Sequence, residues 1–373
     1  MKMKVLFLLV CVCAVSALIA QTIHPSSKEI QNILITNQTK FSVPALSAAV
    51  VFKDEILSAE VGTRIAGKDL PVTSSNRFHV GSVTKPMTAT VIATVVESGK
   101  LRWDSKVVDV FPDWKENIQT EFYDITLADL LSHQAGVQGF TEDSEFASLP
   151  EWKGTSTEQR RNFALYALKQ KPVAKPKQEY FYSNAGFTIA AVMAEKVTDE
   201  AWEASMQRMF KAVDMRTAGF GWPAKTHPEE PWGHWIKDGT LQPHDPNGEY
   251  QLGPNIAPAG DVHVSMIDLA KFARLHLRGV NGRAAILQPA TFKQLHTKRV
   301  KSGLGWGIQE LLGFEPVSGY SGSAETFLTY IALLHKENVA VVVSANAYSE
   351  TIDQACKTTL KELIQRFGKL PVD

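Results

Sequence analysis

Ser82 and Lys85 stand three residues apart in Val80-Gly81-Ser82-Val83-Thr84-Lys85-Pro86. On a helix that spacing puts both side chains on one face, where an amine can take the hydroxyl proton and leave a nucleophile. The serine oxygen would also lie near the positive end of the helix dipole, which favours an anionic transition state. Burial would push the lysine pKa down, towards the neutral amine that a base requires. By itself Ser-x-x-Lys is common, and an N-capping serine followed by a solvated lysine reads the same way. Two further polar elements follow in chain order, Tyr182-x-Asn184 and Gly319-Tyr320-Ser321-Gly322. Taken singly, Tyr182 reads as a core tyrosine and Asn184 as a turn former.

The elements around these residues are legible from periodicity. Met87 to Val96 is apolar on nearly every side, which predicts a buried helix with Pro86 in its first turn and Gly99 as its stop. Ile30, Ile33 and Leu34 predict an N-terminal helix between Ser26 and Asn37. Pro44 to Phe52 reads as a buried strand, turned at Lys53-Asp54-Glu55 into a partner from Ile56 to Val61. Thr126 caps a helix carrying Leu127, Leu130 and Leu131 that ends near Gly136, and His133 is expected to organise the following loop rather than act as a base. Apolar helices follow at Thr188–Val197 and Trp202–Phe210. Later helices are expected at Ser265–Leu277, Pro289–His296 and Thr351–Phe367, and strands at Gly305–Leu311, Ala324–Leu334 and Val339–Ala345.

Strands thus gather at the two ends of the chain and helices between them. This is an α+β pattern: an antiparallel sheet flanked by the terminal helices, with a mostly helical lobe inserted. The sheet lobe would take residues 26–80 and 250–368, and the helical lobe residues 81–249. From Gly219 to Gly260 the chain has no periodicity and is rich in Gly, Pro, Trp and His. So long a loop is expected to cover the active cleft, and its histidines (His227, His234, His244) lack metal-ligand spacing.

With 373 residues, 44% of them hydrophobic, and no formal net charge, the chain can build a sizeable core. The neutral balance excludes the electrostatic footprint of a nucleic-acid or anionic-membrane binder. Lys2 and Lys4 precede an apolar run to Ala20 with small residues at Ala14, Ser16, Ala17 and Ala20, which predicts a signal peptide over residues 1–20, hence a secreted or periplasmic protein without an integral membrane segment after cleavage. Cys11 and Cys13 would leave with it, and Cys356 would remain as a packed helix residue without a disulfide partner. Asn37-Gln38-Thr39 has the form of a glycosylation sequon, a triplet that often occurs by chance.

Taken in order, Ser82-x-x-Lys85, Tyr182-x-Asn184 and Gly319-Tyr320-Ser321-Gly322 resemble the serine β-lactamase and penicillin-binding protein superfamily, most closely its class C and esterase-like branch. Ile125 to Gly136, Pro258-Ala259-Gly260 and Gly303-Leu304-Gly305-Trp306 look like family blocks as well, so the resemblance spans about residues 26 to 368. It implies a β-lactamase/transpeptidase-like fold and an exported serine hydrolase that cleaves an ester or amide through an acyl-enzyme on Ser82, without metal or cofactor. Lys85 and Tyr182 would be the acid/base pair, and a phenol beside a lysine ammonium would have its pKa lowered. Asn184, Tyr320, Ser321, Gly322 and Ser323 would bind substrate, and the backbone N–H groups of Ser82 and Ser323, the latter on an edge strand, would meet the oxyanion.

Tyr320 departs from the family pattern, in which Lys or His stands at that place. A tyrosine hydroxyl holds a substrate carboxylate less well than a fixed positive charge would. An esterase or amidase with a neutral or hydrophobic acyl group therefore fits better than a β-lactamase or D-Ala-D-Ala carboxypeptidase, the alternative enzymes. A catalytically inactive ligand-binding relative is the alternative of another class. Gly319 to Ser323 nearly spells a Gly-x-Ser-x-Gly elbow, but an apolar strand follows where the elbow needs a helix, so Ser321 is not the expected nucleophile.

Overall fold

In the segment Ala45–Phe52 small and branched apolar residues alternate without a single charge, and every one of them is buried. Such a strand belongs in the middle of a sheet covered on both faces. The computed structural model describes residues 26–370 apart from Ser148 and Asp238, so the expected signal peptide lies outside the described residues. In chain order, helix α1 (Ser27–Phe41) leads to β1 (Ala45–Phe52) and β2 (Glu55–Gly62). A 3-10 turn at Gly81–Val83 opens α2 (Thr84–Glu97), followed by α3 (Leu127–Leu131), α4 (Asn184–Thr198) and α5 (Met266–Val280). Strands β3 (Gly307–Leu311), β4 (Phe314–Ser323), β5 (Leu328–Leu334) and β6 (Val339–Ala345) precede the closing helix α6 (Glu350–Phe367).

The six strands form one antiparallel sheet in the order β2-β1-β6-β5-β4-β3, so the two ends of the chain share it. Side-chain alternation splits its residues between two cores. Leu46, Ala48, Val50, Val341 and Val343 pack with Ile30 and Leu34 of α1 and Cys356 and Leu363 of α6. Ala49, Val51, Val342 and Leu333 join the larger core with Met87 of α2 and Phe272 of α5. Burial pushes the Cys356 thiol up, as suits a packed residue. Asn37 is buried too, and its Nδ2 donates to Glu362 at 2.9 Å, so this amide is not presented for glycosylation.

Two expectations need correction. Strand β4 runs over Phe314–Ser323, of which the sequence places only Ser323 on a strand, and Ala324–Leu334 is not one strand: β5 begins only at Leu328. Pro316, Gly319 and Gly322 give β4 little intrinsic strand preference, and its ladder with β5 from Val317 to Ser323 holds it instead. The segment from Gly219 to Gly260 is also not structureless, since His234–Lys237 pairs with Thr240–Pro243.

A buried wire ties α2 to β4. His276 Nε2 lies 3.1 Å from Thr90 Oγ1, its Nδ1 lies 2.9 Å from His296 Nε2, and His296 Nδ1 lies 2.7 Å from Ser318 Oγ. Burial lowers His276 to about 3 and holds His296 well below 6.5. The unfolded rings therefore take up protons first as pH falls, so their contribution to stability is complete above about pH 6.5 and is lost towards about pH 3. The unfolding free energy from urea titrations is expected to fall from about pH 7 to pH 5, by up to about 1.4 kcal/mol per pH unit for each such histidine, and the urea midpoint with it. A flat midpoint over that window would overturn this reading.

Candidate active site

Two glycines let the serine turn lie against the end of β4. Gly81 has φ +50°, and a Cβ there would meet the Ser323 backbone at 2.7 Å. A Cβ on Gly322 would strike the Val80 carbonyl and come within 2.5 Å of the Ser82 nitrogen. Pairing of β3 with β4 extends only as far as Gly319, which leaves Tyr320–Ser323 as a local edge facing that turn. Gly322→Ala is therefore expected to push strand and turn apart and lower kcat/KM by about 100-fold, because an ångström of misplacement has that effect on a catalytic site. Steady-state kinetics beside a melting curve checks it; wild-type kinetics would refute the close-approach argument.

Lys85, in the first turn of α2, is fully buried. Its Nζ lies 2.9 Å from Ser82 Oγ, 2.7 Å from Asn184 Oδ1 and 2.8 Å from the Ala259 carbonyl. Asn184 is held in register because its Nδ2 donates to the Phe140 carbonyl at 2.6 Å. Desolvation lowers the lysine pKa well below 10.5. On the other side of the serine, Tyr182 Oη donates to Ser82 Oγ at 2.7 Å. Tyr182 enters the site because Ser183 caps α4, accepting from the Gly186 amide at 3.0 Å. Its phenol is pushed up to about 12, chiefly by burial, with the hydrogen bond to Ser82 opposing. This reverses the expected lowering: with Lys85 itself held towards neutrality, desolvation prevails over cationic attraction.

The four residues expected to bind substrate around Tyr320 fare differently. Ser323 lines the cavity beside Ser82, and Gly322 makes the close approach described above. Tyr320 is turned away from that role, because its hydroxyl is engaged by His133 Nε2 at 3.0 Å. Ser321 does not reach the site. It pairs across the ladder with Tyr330, whose hydroxyl donates to Asp353 on α6, so strand alternation puts Ser321 on the opposite, exposed face.

His133 is a site residue that the sequence reading placed only in the loop. It does organise that loop: its carbonyl accepts from the Phe181 amide at 2.8 Å and its Nδ1 from the Ser183 amide at 3.1 Å. Its ring also stacks on Tyr182, with centroids 4.6 Å apart. Its position in Ser132-His133-Gln134-Ala135-Gly136 was visible, but its contact with Tyr320 crosses 187 residues of chain. The Ala259 carbonyl is a second such partner.

Ser82 opens onto a cavity of about 380 Å³ lined by Phe140, Phe146, Tyr250, Leu252, Ile256 and Asn184 among others. The end of the Gly219–Gly260 segment thus covers the cleft, as far as Tyr250 to Gly260. No lysine or arginine is among the described lining residues, and Glu325 stands among them. Among the described residues no His, Cys, Asp and Glu cluster could hold a metal ion, and no helix is long and apolar enough to cross a membrane.

A serine flanked by a buried lysine and a tyrosine, at the junction of an antiparallel sheet and a helical lobe, defines a class of serine hydrolases. The Beta-lactamase family model matches residues 30–363, and the chain belongs to that family. It is a β-lactamase-fold serine hydrolase. Penicillin-binding protein 4 of Amycolatopsis lactamdurans is 24% identical over 331 residues, 83% of this chain and 82% of that protein. The unguisins hydrolase ungD' of Aspergillus campestris is 24% identical over 345 residues, 86% of this chain but 62% of that protein. The octameric penicillin-binding protein homologue of Pyrococcus abyssi superimposes with a TM-score of 0.75 at 23% identity, over 92% of this chain and 77% of that one. This last likeness concerns the fold.

Proposed function

We propose that the protein hydrolyses an ester or amide of a neutral, apolar acyl group through an acyl-enzyme on Ser82. The observation that carries this reading is the convergence of Lys85 Nζ and Tyr182 Oη on the same serine oxygen, at 2.9 and 2.7 Å, at the mouth of a cavity. A neutral Lys85 has two N–H bonds and one lone pair. The Asn184 and Ala259 oxygens take the two hydrogens, so the lone pair faces the Ser82 hydroxyl. Lys85 accepts the serine proton as Ser82 attacks, and the N–H groups of Ser82 and Ser323 receive the oxyanion. Tyr182 protonates the departing group and becomes a phenolate beside the new Lys85 ammonium. In deacylation the phenolate takes a proton from water, hydroxide attacks the acyl carbon, and Ser82 recovers its proton from Lys85 as the acid leaves. The cycle closes with every proton returned.

The largely apolar side chains Phe140, Phe146, Tyr250, Leu252 and Ile256, with no lysine or arginine among the described lining residues, support a neutral acyl group. Export of the protein is part of the proposal and rests on the basic and apolar pattern of residues 1–20. Incubation with 4-nitrophenyl butyrate, acid quenching and intact-mass measurement should show a butyryl increment that maps to Ser82. Its absence under conditions of steady turnover would overturn the acyl-enzyme. The penicillin-binding relatives favour a second reading, hydrolysis of β-lactams, which nitrocefin turnover would establish. Failure of both esters and nitrocefin to acylate the protein would favour a catalytically inactive ligand-binding relative.

A further inference from the structure

We infer that Glu325 is a charge filter at the rim of the acyl pocket, which makes the enzyme turn away acyl groups that carry a negative charge. The inference rests on the acyl-enzyme reading above and names a specificity-determining residue for it.

The order of groups along β4 decides which part of the substrate fills the cavity. Tyr182, the donor to the departing group, stacks on His133, and His133 in turn bonds the Tyr320 hydroxyl at 3.0 Å. The departing group therefore lies towards the Tyr320 end of the site. Ser82 and Ser323 stand in the cavity wall, whereas Tyr182, His133 and Tyr320 are not among the described lining residues. Glu325 is among them, two residues past Ser323 on the side away from Tyr320. The cavity is thus the place of the acyl group, and Glu325 stands beside it.

The backbone fixes this residue on both sides. Ala324, Thr326 and Phe327 are buried, and the Thr326 carbonyl accepts from the His234 amide at 2.9 Å. The Glu325 N–H donates to Ser323 Oγ at 3.0 Å, so the filter is tied to a residue of the oxyanion site. Between these anchors Glu325 takes a left-handed φ of +60° and stays exposed, which brings a carboxylate to the cavity rim.

Among the described lining residues Glu325 is the one that carries a charge. Much of the wall is aromatic, with Phe140 and Phe146 packed edge to face at 6.1 Å between centroids. Walls of low polarity focus the field of a charge at their rim. An anionic acyl group loses water on entering and meets a like charge with no lining cation to offset it. A cationic one loses water too but meets an opposite charge, and a neutral one does neither.

Three 4-nitrophenyl esters of matched chain length test the filter, since they share one leaving group. Their acyl chains are adipate (ending in carboxylate), methyl adipate (neutral) and 6-(trimethylammonio)hexanoate (cationic). With spontaneous hydrolysis subtracted, kcat/KM is measured at low and high salt for wild type, Glu325→Gln, Glu325→Lys and Ser82→Ala. The diagnostic is the ratio of the cationic to the anionic ester within each protein, because loss of folded enzyme cancels and desolvation of a charge enters both terms. In wild type the ratio is expected to favour the cation by about tenfold or more at low salt and to shrink at high salt, with the neutral ester well above the anionic one. Glu325→Gln, which keeps the shape and hydrogen-bonding capacity, should lower the ratio by about tenfold, and Glu325→Lys should invert it. A wild-type ratio near one, or a ratio that neither substitution moves, would overturn the filter. Turnover surviving in Ser82→Ala would instead overturn the acyl-enzyme reading itself, so the two failures are separable.

Discussion

Ser82→Ala is expected to lose ester turnover by about 10⁵- to 10⁶-fold in kcat, the scale seen when the nucleophile is removed from other serine hydrolases. The physical reason is the geometry around its oxygen. Lys85 and Tyr182 both aim at Ser82 Oγ, and without that oxygen the base has nothing to deprotonate and the donor no intermediate to break down. Residual turnover of about 10³-fold over water is compatible with an intact oxyanion site and bound substrate. The fold should survive, because Ser82 is only partly buried and contributes one hydroxyl to the network, about 1 kcal/mol. The decisive comparison is with Ser321→Ala, which should hydrolyse at the wild-type rate, since Ser321 lies on the far face of β4. Loss of turnover in Ser321→Ala with retention in Ser82→Ala would invert the assignment.

Lys85→Met should lower kcat by about 10³-fold, within the usual range for removal of a general base, and change how stability responds to pH. Burial lowers the Lys85 pKa well below 10.5 in the folded protein, whereas the unfolded chain holds the lysine charged up to that ordinary value. Between the depressed native pKa and 10.5 the unfolded state binds one proton more, so this group makes the protein more stable as pH rises. The slope is up to about 1.4 kcal/mol per pH unit and vanishes with the lysine. At a single pH the variant's stability is a balance: the buried amine is gone, but the Asn184 and Ala259 oxygens lose their donor. The slope is therefore the diagnostic quantity. Urea midpoints at about pH 7 and pH 9 for both proteins measure it, and equal slopes would show that Lys85 is charged in the folded state. Acylation should follow the same titration, rising with pH in the wild type as Lys85 loses its proton.

Much of the chain could be read before its structure was seen, for reasons that differ from element to element. Helix α2 was legible because its apolar run is bounded by Pro86 and Gly99, and β1 with β2 because an uncharged branched run meets a tight turn at Lys53-Asp54. Lys53 and Asp54 both take positive φ there, the geometry that a two-residue hairpin turn demands. Strand β4 was not legible. Its glycines and Pro316 carry no strand signal, and only the ladder with β5 makes it extended. The same strand explains why Ser321 was grouped with its neighbours: sequence adjacency says nothing about which face of a sheet a side chain meets.

The catalytic set could be named from local spacing and from the order of three motifs, because Ser82 and Lys85 share a helix face and Tyr182 and Asn184 flank a helix start. Those are short-range relations, and a chain states them directly. Their protonation is a different matter. Whether Lys85 is ammonium or amine, and whether Tyr182 has its pKa lowered or pushed up to about 12, depends on how much water the surrounding elements exclude. The sequence reading weighed charge against charge, whereas tertiary burial added desolvation and reversed the sign for the tyrosine. The Ala259 carbonyl likewise reaches Lys85 across 174 residues of chain, and Tyr320 meets His133 across 187. The sequence by itself determined which groups are present, what chemistry they can do and which of them are near neighbours. Only the tertiary structure decided which proton each one holds and in which direction it points, because both follow from enclosure and from contacts across the fold that no local spacing encodes.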